Sequence, residues 1–117
     1  MEQLNRIELR GLVGSVRMLQ VGQNLVVHFT VATSRAYRDQ QGAAVIDTTW
    51  HNVTGWKGKG LENVDLVSKG DKVYVVGRLR NSKFQGSDGL EHTATEVIAS
   101  RVIILTGDDQ LQYEMYA

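Results

Sequence analysis

The residue types that perform covalent or metal chemistry are few in this sequence and poorly spaced for it. The three histidines, His28, His51 and His92, stand apart from one another, and none has a second ligand at metal-site spacing. Cysteine is absent, which removes thiolate nucleophiles, cysteine-ligated zinc and disulfides together. Asp108 and Asp109 are a carboxylate pair, but adjacent residues near a chain end cannot hold the fixed separation that acid-base catalysis needs. Gly55-Trp56-Lys57-Gly58-Lys59-Gly60 has the glycines and lysines of a phosphate loop without its Gly-Lys-Ser/Thr ending or a βαβ setting. No Gly-x-Ser-x-Gly elbow is present for a serine nucleophile. The sequence therefore assigns no catalytic residue, no metal and no cofactor, and reads as a non-enzyme.

A different chemistry is carried by aromatic rings set among cations. Tyr37 lies between Arg35 and Arg38, Trp56 precedes Lys57 and Lys59, and Phe84 follows Lys83 shortly after Arg78 and Arg80. Trp50 sits among Thr48, Asn52 and Thr54. In an extended strand, Thr48, Trp50, Asn52, Thr54 and Trp56 share one face while Thr49, His51 and Val53 take the other. Two indoles in a polar row make a poor core and a good platform, and six residues at about 3.3 Å each separate them by about 20 Å. Single-stranded nucleic acid offers base faces and phosphates together. Aromatic stacking contributes roughly 1–3 kcal/mol per base, and interleaved cations follow the backbone.

These side chains must be positioned by strands. Apolar residues recur with a period of two almost throughout, in runs rich in Val, Ile and Thr. Strands are expected over 4–19, 24–33, 45–56, 72–80 and 91–105, the last ending in an apolar run buried on both faces. Gly11 and Gly14 inside the first strand point to a bulge or bend. Asp39-Gln40-Gln41-Gly42 has the composition of a hairpin tip joining strands two and three into a long arm. Leu61, Val64 and Val67 recur every third residue before Gly70, which predicts a two-turn helix with a left-handed glycine after it. Residues 81–90 read as a polar, glycine-rich loop. The element order is all-β: an OB-fold, a five-stranded partly open Greek-key barrel with one short helix between strands 3 and 4.

At 117 residues with 13 basic and 13 acidic side chains, the chain has no net charge and no global field to attract a polyanion. The division by region is uneven. Residues 1–105 hold all 13 basic and 10 of the acidic residues, net +3, and the remaining twelve residues hold Asp108, Asp109 and Glu114, net −3. The expected organisation is a barrel domain over 1–105 and a short acidic tail over 106–117 that competes with nucleic acid for the same groove. The absence of cysteine, of an apolar N-terminal run and of a membrane-length apolar window points to a cytoplasmic protein with no membrane partner.

Over residues 3–105 the sequence resembles the bacterial-type single-stranded DNA-binding proteins. The matching pieces are Leu4-Asn5-Arg6 with Leu12-Val13-Gly14, Ala32-Thr33-Ser34 with Tyr37-Arg38-Asp39, and Thr49-Trp50-His51. They continue with Lys69-Gly70, Val73-Tyr74-Val75, Gly77-Arg78-Leu79-Arg80 and Thr95-Glu96-Val97. The resemblance implies an OB-fold that binds single-stranded DNA without sequence preference in replication, recombination or repair, and that assembles as a homotetramer, a dimer of dimers. It implies base stacking by Tyr37, where the family usually has tryptophan, by Trp50, by Trp56, where phenylalanine is commoner, and by Phe84. It implies a subunit-interface role for His51, while the backbone contacts expected from Arg35, Arg38, Lys57, Lys59, Arg78, Arg80 and Lys83 rest on their places near the aromatics. The long Gly-, Pro- and Gln-rich linker and acidic tip by which cellular members recruit replication and repair proteins are reduced here to a distant echo in Asp108, Asp109 and Glu114, which leaves such partners open and fits a naturally short form, a mobile-element version or a truncated chain. A primosomal-type OB interaction module and a single-stranded RNA binder are the alternative readings.

Overall fold

Where Val27, Phe29 and Val31 alternate with His28 and Thr30, the pleat sends one set inward and the other out. The fold extends this rule. The computed structural model describes residues 1–58, 60–105 and the backbone of 114–115. Its strands are β1 (Ile7–Val21), β2 (Asn24–Arg38), β3 (Ala44–Trp56), β4 (Lys72–Gln85), β5 (Glu91–Leu105) and β6 (Glu114–Met115), with a 3-10 turn at Val64–Leu66 between β3 and β4.

β1 serves two neighbours in turn. From Ile7 to Leu12 it pairs antiparallel with β4, and from Leu12 to Val21 it pairs antiparallel with β2. At the changeover the backbones nearly touch: a Cβ on Gly11 would lie 2.1 Å from the Ala32 carbonyl oxygen, so only glycine fits. The glycine-containing bulge expected in this strand falls between Val13 and Val16. β4 pairs with β5, and a parallel contact of Val53 with Val97 and Thr54 with Ile98 joins β5 to β3. The result is the expected five-stranded OB-fold barrel with a short helical element between strands 3 and 4.

Inside the barrel, Val27, Phe29 and Val31 meet Val53, Val73, Val75 and Val97. Leu61, Val64 and Val67 join the same core from the segment around the 3-10 turn. The two-turn helix expected there is corrected to this single turn. A three-residue apolar repeat matches the 3-10 period as well as an α-helical face, and the backbone is already extended at Val67, with φ −65° and ψ 130°. Gly70 does adopt the left-handed conformation, φ 91°, but it leads into β4 and donates its N–H to Val13 O (2.9 Å) rather than capping a helix.

Two hairpins extend past the barrel. The β2–β3 arm keeps unbroken register out to Arg38 opposite Ala44, and Asp39 Oδ1 closes its tip by accepting the N–H groups of Gln41 and Ala43, both at 2.9 Å. The β4–β5 arm runs to Gln85 opposite Glu91, so residues 81–85, expected as loop, are strand. Their backbone ladder holds without an apolar face, the signal that sequence periodicity depends on. Residues 102–105 are half-buried rather than fully buried on both faces. β6 pairs in parallel with the outer edge of β2, Glu114 opposite Arg35 and Met115 opposite Ala36. The rest of the expected tail, 106–113 and 116–117, lies outside the described residues.

Phe29 is the largest side chain in this core, 2% exposed. Phe29→Ala should lower unfolding free energy by roughly 3–5 kcal/mol, measured by urea titration; a loss within experimental error would place the ring outside the core.

Candidate nucleic-acid interface

Register fixes which side chains share the outer face of β2 and β3. Val26, His28, Thr30, Ala32 and Ser34 stand opposite Trp56, Thr54, Asn52, Trp50 and Thr48. Trp50 is 59% exposed and Trp56 45%, at separate points on this face with Asn52 and Thr54 between them. Between them lies an open groove of about 460 Å³, with Arg17, His28 and Thr30 on one side, Asn52 and Thr54 on its floor, and Ser82, Ala94 and Glu96 on the other.

The groove carries a polar chain that sequence reasoning missed. Thr54, buried at 5% exposure, donates its hydroxyl to Glu96 Oε2 (2.9 Å) and lies 3.0 Å from His28 Nδ1. Because the threonine proton goes to the carboxylate, the Thr54 oxygen is left to accept from His28, which sets Nδ1 as the protonated nitrogen. Ser15 N–H donates to Thr30 Oγ1 (3.0 Å) at the groove's edge. His28 and Thr54 both fall on the outward set of the alternating pattern. Their partnership required the β2–β3 register, and Glu96 required closure of the barrel.

The other predicted rings lie on the arms. Phe84, 51% exposed, stacks on His92 with centroids 5.5 Å apart. On β4, alternation sets Arg78, Arg80, Ser82 and Phe84 on one face, and Ser82 lines the groove. Tyr37 is 39% exposed near the tip of the β2–β3 arm, where unbroken register puts it on the side opposite Trp50.

The cations differ in how they are held. Arg78 and Arg80 are exposed. Arg38 donates from Nη1 to Gly42 O (2.8 Å), which fixes it across the arm's tip. Lys57 Nζ pairs with Asp65 Oδ2 at 2.8 Å, and that hydrogen bond holds the Asp65 carboxyl below its usual pKa. Lys83 projects from the opposite face of β4 to Phe84 and pairs with Glu91 at 3.5 Å. Arg35 is half-buried on β2, where Glu114 is its partner in register. Lys59 lies outside the described residues. Among the described residues no group of His, Asp and Glu side chains could hold a metal ion, and no helix is long and apolar enough to cross a membrane.

Residues 4–105 match the model of the single-strand binding protein family. The chain belongs to that family. It is 36% identical over 110 residues to the single-stranded DNA-binding protein of Neisseria meningitidis serogroup A, covering 92% of this chain and 63% of that one. To the mitochondrial single-stranded DNA-binding protein of Oryctolagus cuniculus it is 30% identical over 113 residues, covering 88% and 76%. The chain thus spans just under two thirds of the Neisseria relative's length. Among solved structures, the Plasmodium falciparum SSB in complex with ssDNA superposes with a TM-score of 0.78 at 29% identity, covering 91% of this chain and 98% of that one. A deletion mutant of the Thermus aquaticus single-stranded DNA binding protein shares the fold, with a TM-score of 0.74 at 23% identity over 90% of this chain and 52% of that one.

His51 faces away from the Trp50 side and meets Thr33, with Nε2 2.8 Å from Oγ1. Partial burial penalises the charged imidazolium and lowers its pKa from the ordinary 6.5. The unfolded chain therefore binds more protons just below that value, so stability is full above it and falls as pH drops through it toward the depressed folded value. Between about pH 7.5 and about pH 5.5 the unfolding midpoint should fall, and His51→Gln should fall less over the same interval; parallel curves would show that His51 does not carry the effect.

Proposed function

We propose that this chain binds single-stranded DNA without sequence preference and protects it during replication, recombination or repair. The observation that carries the reading is the pair of exposed indoles, Trp50 and Trp56, on the groove face of β3. A hydrophobic core has no use for them there, and every base has a π-face to stack on them. Phe84 supplies a further ring at the edge of the same surface and Tyr37 another on the β2–β3 arm. Arg78 and Arg80 run along β4 beside the groove, with Arg35, Arg38, Lys57, Lys59 and Lys83 as further phosphate contacts. The similarity to the Plasmodium falciparum SSB solved in complex with ssDNA supports the same ligand.

The working unit is proposed to be a homotetramer, a dimer of dimers, with His51 at a subunit contact. β1 leaves Leu12, Met18, Leu19 and Val21 exposed, apolar surface that self-association would cover. A cytoplasmic location suits a chain without cysteine.

Titration with oligo-dT should quench tryptophan emission, with affinity falling as salt rises because phosphate contacts release counterions. Trp50→Ala and Trp56→Ala should each weaken binding by roughly 1–3 kcal/mol. Absence of quenching at low salt, or unchanged affinity in both variants, would reject the reading.

The acidic end of the chain is proposed to compete with DNA. The register of β6 supports this, since Glu114 stands opposite Arg35 on the arm that carries Tyr37 and Arg38. Removing residues 106–117 should tighten oligo-dT binding at low salt, with the gain shrinking as salt is added; equal affinities would rule out the competition.

A further inference from the structure

Trp50 stands on β3, and β2 lies between it and β1, so two strand spacings of about 4.8 Å each separate its backbone from β1. Its ring nevertheless reaches β1 at Gly14. A Cβ built on Gly14 would lie 2.3 Å from Cζ3 and 2.9 Å from Cη2 of Trp50, and 2.9 Å from Thr30 Oγ1. Two small residues open this path. The residue facing Trp50 across β2 is Ala32, and Gly14 lies in the bulge where Gly14 and Ser15 together oppose Thr30. The Ser15 N–H bond to Thr30 Oγ1 pins that bulge. Gly14 is not among the glycines with positive φ, so its backbone conformation is open to other residues. What the position uses is the missing side chain.

We propose that Gly14 is a positioning residue for DNA binding: by leaving β1 bare it lets the Trp50 indole lie down across β2, with its far edge on the β1 backbone and 59% of the residue still exposed. A side chain at position 14 lifts the ring, which must then be immobilised again when a base stacks. This rests on the reading of Trp50 as a stacking surface, and it names the neighbour that orients that surface.

The test compares the full chain with Gly14→Ala, Trp50→Ala and the double variant in oligo-dT titrations at low salt. Gly14→Ala should weaken binding roughly 2- to 12-fold, the cost of immobilising one side chain. In the Trp50→Ala background the same change should have no effect, because contacting residues are not additive. A loss of equal size in both backgrounds, or no loss in the first, overturns the proposal. In a Trp56→Phe chain, where Trp50 is the only remaining tryptophan, Gly14→Ala should shift the emission of the free protein and raise its quenching by acrylamide; unchanged emission and quenching overturn the contact. This readout needs no DNA, so it judges Gly14 even if Trp50→Ala alone shows that the ring does not stack on bases. Should Gly14→Ala fail to fold, the double variant should fold, since the obstructing ring is gone. A double variant that also fails would place the constraint at Thr30 and overturn the proposal.

Discussion

One strand holding two partners in succession is the constraint on which this molecule depends. β1 passes from β4 to β2 at Leu12, and the transfer requires Ala32 O to approach where a side chain on Gly11 would stand. With β1 shared, the sheet curls until β3 and β5 meet, and Val53 and Val97 come together over a common core. Because closure turns one set of side chains inward, the other set is committed to the outside, and there the outward residues of β2 and β3 make the face proposed to bind DNA.

That face has a division of labour with a physical basis. The floor of the groove is polar but internally satisfied, since the His28, Thr54 and Glu96 side chains form one hydrogen-bonded chain. A buried Thr54 without its acceptor would carry a desolvation cost, so the network stabilises the barrel seam as well as lining the groove. The rings stand at the edges of this floor and on the arms, where they keep large exposed areas without weakening the core. The arms are held mainly by backbone pairing and small turns, and side chains can vary there with little effect on the barrel.

Much of this was legible in the sequence because two-residue alternation reports directly on the inside and outside of a closed sheet. The Trp50 and Trp56 row, the β2–β3 hairpin with its Asp39–Gly42 tip and the bulge near Gly14 were all readable in that way. Three features were not. The repeat of Leu61, Val64 and Val67 fits a 3-10 turn and an α-helix equally, and it does not show that the backbone is already extended at Val67. Residues 81–85 form strand through backbone bonds that leave no apolar pattern. The partnership of Thr54 with Glu96 joins residues 42 apart along the chain, a contact created by closure itself.

The ion pairs of Lys57 with Asp65 and Lys83 with Glu91 bear on how an encounter with a polyanion is felt by the solution. Each of these lysines already has a counter-charge within the protein. When a phosphate takes the ammonium, the carboxylate left behind gathers a cation from solvent, which offsets the one expelled from the strand. In the proposed complex these two lysines would therefore exchange one anion for another with little net change in bound salt. The ionic-strength signature of the proposed binding would then be left to cations without such a partner, with Arg78 and Arg80 on β4 the foremost candidates, and a count of basic residues would overstate it.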